Sequence, residues 1–404
     1  MASRASQWSG AKGKGGGEKK FYHATSQQAY YMKPSEAATV SLGGGPELGG
    51  SGLKEEERPK LGVVVMTKRP LDLEHWLWYH RSVVGVSRFY VQCEDSPELA
   101  ALLLRPPWNA FVDATFVAKT ERDYFVQMDR QAVHVACTVP RARAAGVEWL
   151  LHVDDDELLH CPSGAGALWR ALKDAPKHVS DVHVKNVEAL APTAACSRPF
   201  LECTRFVAST SKFASYTNGK SFGRVAAPGL RAHGPHHFRG DVLGGANGVP
   251  SATLNVAASV AVVLHYESVS YDRWTNKFSE LAARHGHDQD ILDKLPFPFY
   301  RASLSAVGHL ARCPDGEKGK ARDAAFKVWS GKKVETEARV PNKDTILVTA
   351  VRDALAEGAL LGDAAARDAA NAAPTAAPPF KKRATPSEAK PPPPVVASAL
   401  PRLT

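Results

Sequence analysis

Residues 147–157 read VEWLLHVDDDE, a short apolar run that ends directly in four consecutive acidic residues. A run of this length, preceded by a glycine and followed by charged residues, is typical of a strand buried on both faces. We therefore predict a strand over 147–153. A cluster of four carboxylates, 154–157, then follows the carboxyl end of that strand.

The sequence around this stretch alternates between strand-like and helix-like patterns. Apolar runs predict further strands over 61–66, 87–92 and 110–117. Helical spacing of apolar residues predicts helices from Leu73 to before Gly85, over 97–105 and over 123–145, the last kinked or split at Pro140. This alternation indicates an α/β fold with a mostly parallel sheet and helices on both faces, in which ligands bind at the carboxyl ends of the strands.

The four acidic residues repel one another, and a divalent cation is the simplest way to offset that repulsion. If strand geometry continues past 153, Asp154 and Asp156 point to one side and share a hard cation, whereas Asp155 points away. The alternative is an acidic helix start, in which the same carboxylates cap the segment before Leu158. The spacing of the residues leaves both interpretations open.

Five segments in order carry a wider pattern. They are EHWLWYH (74–80) after the first strand, Asp95-Ser96 after the second, Asp154-x-Asp156-Glu157, GKSFGRVAAPGLRAHGPHHF (219–238) and LHYESVSYDRWTNKF (264–278). Together they resemble the glycosyltransferase family 2-like and family 92 group, whose enzymes have the Rossmann-like GT-A fold. The resemblance extends over roughly 61–285.

The resemblance implies transfer of a sugar, with inversion, from a nucleotide-sugar donor to a hydroxyl of a glycan or glycoprotein. It implies that Asp154, Asp156 and a late histidine, His265 or in second place His236, hold Mn²⁺ or Mg²⁺ at the donor diphosphate. A hydrogen-bonded core histidine is the alternative for the late histidine. The implied donor-binding residues are Thr67, Lys68, Asp95, Gln131, Asp155, Lys220, Arg224 and His236.

Two features depart from the pattern of that group. The turn after the first strand is Thr67-Lys68-Arg69-Pro70 in place of Lys-Asn-Glu, which changes the residues expected at the base and ribose. An inverting transferase also needs a carboxylate base, and no residue matches that position in register. Glu202 and Asp241 are the candidates, because both lie between the acidic motif and His265, and a surface carboxylate is the alternative for each.

Charge and cysteine content exclude several other classes of protein. The formal net charge is +9, but residues 1–60 carry +3 and 364–404 carry +4, which leaves only +2 for the middle of the chain. A nucleic-acid partner is therefore not expected. Six cysteines without a CxxC pair argue against structural zinc, and Cys196 and Cys203 are expected to be buried free thiols or, in an oxidising compartment, a bridge.

The chain is predicted to consist of a disordered glycine-rich leader (1–60), a catalytic domain (61–310), a helical extension (311–363) and a disordered Pro/Ala-rich tail (364–404). No secretory signal or membrane span is visible, whereas the resemblance implies the endomembrane system or Golgi. Two alternative functions stay open. One is a non-catalytic descendant that binds a glycan or a nucleotide, and the other is a different metal-dependent enzyme acting on phosphates.

Overall fold

The computed structural model of the chain describes residues 57–118, 124–242, 251–285, 295, 297–335 and 344–356, together with the backbone of 40–41. The chain divides into two compact units, 1–358 and 359–404, and the described residues all belong to the first. Almost all of the predicted leader and the whole predicted tail lie outside the described residues. The domain boundaries at 310 and 363 stay predictions.

Up to residue 152 the strands alternate with helices, as the sequence predicts, whereas beyond it several strands follow one another without an α-helix between them. In chain order the strands are β1 (Val40–Ser41), β2 (Leu61–Thr67), β3 (Val86–Glu94), β4 (Val112–Val117), β5 (Trp149–His152), β6 (Glu157–His160), β7 (Val179–Val184), β8 (Asn186–Leu190), β9 (Arg205–Val207), β10 (Lys220–Arg224), β11 (Arg231–His233), β12 (His237–Arg239), β13 (Ala252–Asn255), β14 (Val262–His265) and β15 (Thr345–Leu347). The α-helices are α1 (Leu73–Tyr79), α2 (Ala100–Leu103), α3 (Tyr124–Ala144), α4 (Ala165–Asp174), α5 (Pro199–Glu202), α6 (Tyr271–His285), α7 (Pro298–Arg312) and α8 (Lys318–Lys333), and a further helical segment covers 350–356.

The main sheet has the strand order β1-β13-β7-β10-β5-β2-β3-β4. All of these strands run parallel except β10, which is antiparallel to both of its neighbours. Every residue of β2 is buried, which explains its continuous apolar run. The predicted mostly parallel α/β sheet is therefore confirmed.

Helices cover both faces of this sheet. Along β2, Val63 and Val65 pack into a large core that includes α1 and α4, whereas Val64 packs into a second core under α3 and the β11–β12 hairpin. A separate apolar cluster, centred on Trp274, Phe278 and Trp329, holds α6, α7 and α8 together. The sheet thus presents only its strand ends to ligands.

The predicted helices differ from the observed ones in detail. α1 continues as a π-helical turn, His80–Val84, which ends at Gly85 in the left-handed conformation (φ 85°), as the glycine predicts. Pro140 does not split α3, because Val135, Val139 and Ala142 pack in the core under this helix and hold it together on both sides of the proline. Cys196 and Cys203 are buried free thiols with their sulfurs 3.7 Å apart, which matches the first of the two expectations for this pair.

A second sheet, β15-β9-β8-β14-β6, is mostly antiparallel. The chain passes from the main sheet to this second sheet between β5 and β6, and residues 153–156 form the connection. In the described part of the chain, no helix combines the length and the apolar character needed to cross a bilayer.

Candidate functional site

The acidic cluster forms a tight turn between the two sheets. β5 ends at His152, and the Glu157 backbone N–H donates to the Asp154 carbonyl oxygen at 3.2 Å. Arg273 on α6 donates to the carboxylates of both Asp155 (3.0 Å) and Asp156 (3.3 Å). The expectation that Asp155 points away from Asp156 is wrong, because the alternation of a strand stops before the cluster and a turn replaces it.

Asp154 is held from both sides by protein donors. Lys220, which is fully buried, places its Nζ 2.6 Å from Asp154 Oδ2, and Gln131 Nε2 donates to Asp154 Oδ1 at 2.9 Å. Burial would raise the pKa of Asp154, but the charge of Lys220 lowers it well below its ordinary value of 3.8. Asp154 is therefore an ion-paired carboxylate.

Local backbone geometry brings Lys220 to this position. The preceding residue, Gly219, has φ 61°, and a Cβ there would collide with the Val184 carbonyl oxygen, so only glycine fits the turn into β10. Because β10 runs antiparallel to β5, its first residue lies beside the last residues of β5. Lys220 thus reaches the carboxyl edge from a strand that begins where its neighbours end.

The ends of β2 and β3 complete the same edge. Thr67 Oγ1 donates to Asp155 Oδ2 at 2.5 Å, and Lys68 Nζ lies 3.2 Å from both Asp95 and Glu280. Asp95 (φ 46°) and the neighbouring Arg69 (φ 52°) both adopt the left-handed conformation, which is uncommon for residues with a side chain. Such backbone conformations cluster at functional sites, where the surrounding structure holds them in place.

His265 ends β14 and faces the acidic turn. Its Nε2 lies 4.0 Å from Asp156 Oδ1, and its Nδ1 lies 3.5 Å from Ser215 Oγ. The Ser215 hydroxyl donates to Glu188, which also accepts the N–H groups of Ala214 and Ser215 at 2.6 Å each. With its own proton donated to Glu188, the Ser215 oxygen is free to accept a proton from Nδ1, and that tautomer would leave Nε2 as the electron-pair donor of the ring.

This arrangement fits the donor chemistry of a cation site. Burial lowers the pKa of His265, which favours the neutral ring. One carboxylate with one neutral imidazole is a donor set that divalent metals accept. Among the described residues, no group of three or more His, Cys, Asp or Glu side chains is arranged to hold a metal.

Tyr216 packs between the two candidate histidines. Its ring centroid is 4.6 Å from that of His236 and 4.7 Å from that of His265, and its hydroxyl donates to Glu157 at 2.8 Å. Burial raises the pKa of Glu157 to about 8 despite its contact with a lysine. His236 Nδ1 is hydrogen-bonded to the Gly219 carbonyl oxygen at 2.8 Å. His236 therefore lies next to the site, where it is hydrogen-bonded to the turn that precedes β10.

Three predicted site residues lie elsewhere. Arg224 is at the far end of β10, about 13 Å from Lys220, where its guanidinium donates to the carbonyl oxygens of 175, 176 and 179. Glu202 Oε1 accepts hydrogen bonds from Ser197 and Arg198 in its own loop. Asp241 follows the end of the β11–β12 hairpin that is remote from Lys220, and its N–H donates to the Pro228 carbonyl oxygen.

Sequence reasoning missed the side chains that connect these groups. They are Arg273, Tyr216, Ser215, Glu188 and Glu280. Arg273 lies in the segment 264–278, whose histidine and lysine carry the family resemblance, so that segment was the available signal. The other four residues lie in loops, on a strand or on a helix, and no sequence motif links their positions to the acidic turn.

Comparisons with known proteins agree on one general class. The chain is 26% identical over 232 residues to Glycosyltransferase-like At2g41451 of Arabidopsis thaliana (46% of this chain, 50% of that protein). It is 25% identical over 274 residues to Glycosyltransferase-like At3g57200 of the same plant (56% and 49%). The chain therefore spans about half the length of the curated relatives that it matches. No protein-family model matches the chain.

Among solved structures, a match covers 72% of this chain and 74% of a mannose-1-phosphate geranyltransferase from Thermus thermophilus. The two share 14% identity, and the TM-score is 0.22. A TM-score this low does not establish a common fold. The similarity to glycosyltransferase-like proteins is thus a similarity of sequence.

Proposed function

We propose that this chain is a glycosyltransferase of GT-A type that uses Mn²⁺ or Mg²⁺ to transfer a sugar from a nucleotide-sugar donor to a hydroxyl of a glycan or glycoprotein. The observation that carries the proposal is the pair formed by Asp156 and His265, whose Oδ1 and Nε2 atoms lie 4.0 Å apart at the carboxyl edge of the sheet. The sequence similarity to glycosyltransferase-like proteins supports the type of reaction.

In this proposal, Asp156 and His265 hold the cation, and Asp154 stands beside them in its ion pair with Lys220. The bound cation would supply charge neutralisation for the diphosphate that leaves the sugar. Lys220, which is buried and charged, adds a fixed positive charge at the same edge. These groups are held in place by contacts within the protein, which lowers the cost of orienting the donor.

The ends of β2 and β3 are proposed to bind the nucleoside part of the donor. Thr67, Lys68 and Asp95 lie there, at the strand ends where α/β sheets bind ligands. The left-handed backbone of Asp95 turns its side chain towards Lys68, which is 3.2 Å away. Gln131 joins this region to the acidic turn through Asp154.

The catalytic base and the inversion of configuration belong to the proposal only as implications of the family resemblance. Glu202 and Asp241 make their contacts in other parts of the fold, so we assign no base to either. The geometry thus supports binding of the nucleotide-sugar donor. Transfer to an acceptor must be tested by product analysis.

Isothermal titration with UDP and with GDP, each with and without Mn²⁺, tests the proposal. We expect one nucleotide to bind only when Mn²⁺ is present. Asp156→Asn should abolish this Mn²⁺-dependent binding, because the amide replaces a charged ligand. The matched control is Asp113→Asn, which removes a half-exposed carboxylate paired with Arg141 on the edge strand and should leave binding unchanged.

The outcomes separate the alternative functions. Unchanged Mn²⁺-dependent binding by Asp156→Asn would remove Asp156 from the site and contradict the proposal. Nucleotide-sugar binding without any turnover would favour a non-catalytic binding protein. Release of free sugar or phosphate in the absence of an acceptor would favour a metal-dependent hydrolase.

A further inference from the structure

We propose that Arg273 competes with a divalent cation for the Asp156 carboxylate and pairs with the donor diphosphate where the cation binds. This inference rests on the proposed function, because it concerns the same carboxylates. Its starting point is that one guanidinium nitrogen, Nη2, lies 3.0 Å from Asp155 Oδ1 and 3.3 Å from Asp156 Oδ2. A single positive charge thus bridges the two carboxylates.

The charges of the turn show why a bridge is needed. Lys220 Nζ forms an ion pair with Asp154 Oδ2 at 2.6 Å and lies 3.3 Å from Glu157 Oε2. Asp155 and Asp156 are adjacent in the chain and both contact Arg273. Their two negative charges together are larger than the single positive charge of the guanidinium. The charge of a divalent cation would balance two carboxylates, whereas the charge of a guanidinium balances only one.

Arg273 differs from Lys220 in its freedom to move. The Lys220 side chain has no exposed surface, whereas one fifth of the Arg273 side chain is exposed. Arg273 stands in the first turn of α6, and its Nη1 donates to the Arg69 carbonyl oxygen at 3.2 Å, next to the end of β2. Its guanidinium therefore lies between the acidic turn and the strand ends proposed to bind the donor.

The cation and the guanidinium would share the Asp156 carboxylate through its two different oxygens. Asp156 Oδ2 contacts Arg273, whereas Asp156 Oδ1 faces His265. A cation bound between Oδ1 and His265 would lie within a few ångströms of the guanidinium and would repel it. A displaced guanidinium presents two parallel N–H groups, which suit the oxygens of a diphosphate. Cation binding would thus prepare Arg273 to bind the donor.

The test compares Mn²⁺ affinity in wild type and Arg273→Gln, measured by electron paramagnetic resonance of free Mn²⁺ in the absence of nucleotide. We expect the variant to bind Mn²⁺ at least about tenfold more tightly, because a competing positive charge is removed. In the presence of Mn²⁺, the same variant should bind UDP or GDP at least about tenfold more weakly, because a diphosphate contact is lost. A purely structural arginine would not give these opposite changes.

Two further variants keep the test decisive. Arg273→Lys retains the charge but not the planar fork that bridges two carboxylates, so its Mn²⁺ affinity should lie between that of wild type and that of Arg273→Gln. Arg141→Gln, at the exposed pair with Asp113, is the matched control and should bind Mn²⁺ as wild type does. If Arg273→Gln does not fold, Arg273→Lys alone decides the question.

The failure of this inference can be distinguished from that of the proposed function. If the wild-type protein binds neither nucleotide in the presence of Mn²⁺, both fail. If the wild type shows Mn²⁺-dependent nucleotide binding but the folded Arg273 variants bind Mn²⁺ no more tightly, only the role of Arg273 is overturned.

Discussion

Ser215 shows how one hydroxyl group can determine the chemistry of a neighbouring ring. Its proton is donated to Glu188, and its oxygen faces His265 Nδ1. This contact favours the tautomer that carries its proton on Nδ1 and leaves Nε2 free to bind a cation. Groups that orient a metal-binding histidine in this way have a large effect on metal affinity, although they do not touch the metal.

At this residue scale we predict that Ser215→Ala lowers Mn²⁺ affinity in the presence of nucleotide by about 10–100-fold. The cause is loss of the acceptor that fixes the His265 tautomer, while Glu188 keeps the two backbone N–H groups that hold its own position. Isothermal titration gives the affinity. Ser211→Ala, at an exposed serine in the preceding loop, is the control, and an equal affinity in both variants would contradict the role of Ser215.

At the scale of elements, the direction of a single strand decides which basic residue reaches the site. The sequence places Lys220 and Arg224 four residues apart, and the family resemblance implies both at the diphosphate. Because β10 is antiparallel to its neighbours, Lys220 lies at the carboxyl edge of the sheet and Arg224 lies near its amino edge, over the ring of Trp149. A local pattern gives the spacing of two residues but not the direction of the strand that carries them.

Other parts of the fold were predictable because they depend on local properties. The apolar run 61–66 and the glycine at 85 give β2 and the end of the first helix, and parallel strands then bring Thr67, Asp95 and the acidic turn to one edge. Arg273 could not be assigned in this way, since it lies more than a hundred residues from Asp156. Its contact depends on how α6 packs beside the sheet, which no local spacing encodes.

The proline inside α3 allows a prediction at the same scale. Pro140 is exposed and lacks the N–H that would bond to the carbonyl oxygen of 136. Pro140→Ala should restore this bond and stabilise the protein by about 1–2 kcal/mol, which corresponds to a rise in melting temperature of a few degrees. Differential scanning calorimetry measures the change.

The chain contains a matched proline for comparison. Pro298 is also exposed but stands at the first position of α7, where no intrahelical partner for an N–H exists. Pro298→Ala should therefore leave the melting temperature unchanged or lower it slightly. A rise of equal size in both variants would contradict the explanation from the missing hydrogen bond.

At the scale of the whole molecule, buried histidines make stability depend on pH. Burial lowers the pKa of His80 to about 4, of His152 to about 3 and of His183 to about 4, from an ordinary value of 6.5. In the unfolded chain these rings take up protons as the pH falls through 6.5, whereas in the folded chain they stay neutral until about pH 4. The unfolded state then binds more protons, so acidification favours unfolding.

We predict that the melting temperature falls by more than about 5 °C between pH 7 and pH 5 at constant ionic strength. His80→Gln should reduce this dependence. The neutral His80 ring is hydrogen-bonded at both nitrogens, to the Trp76 carbonyl oxygen and to the Leu159 N–H, and glutamine offers a donor and an acceptor without titrating. His178→Gln, at an exposed position, is the control, and an identical pH profile in wild type and His80→Gln would refute the assignment.

The acidic turn is also the place where the chain crosses between its two sheets. The Asp156 carbonyl oxygen accepts the Tyr266 N–H at 2.8 Å from the strand end of the second sheet, while the Asp154 carboxylate is tied to Lys220 in the main sheet. A ligand held by Asp156, His265 and Lys220 would therefore cross-link both sheets. Because such a ligand would bind only the folded chain, a higher concentration of it would reduce how often the molecule opens to cellular proteases and would lengthen the lifetime of the protein.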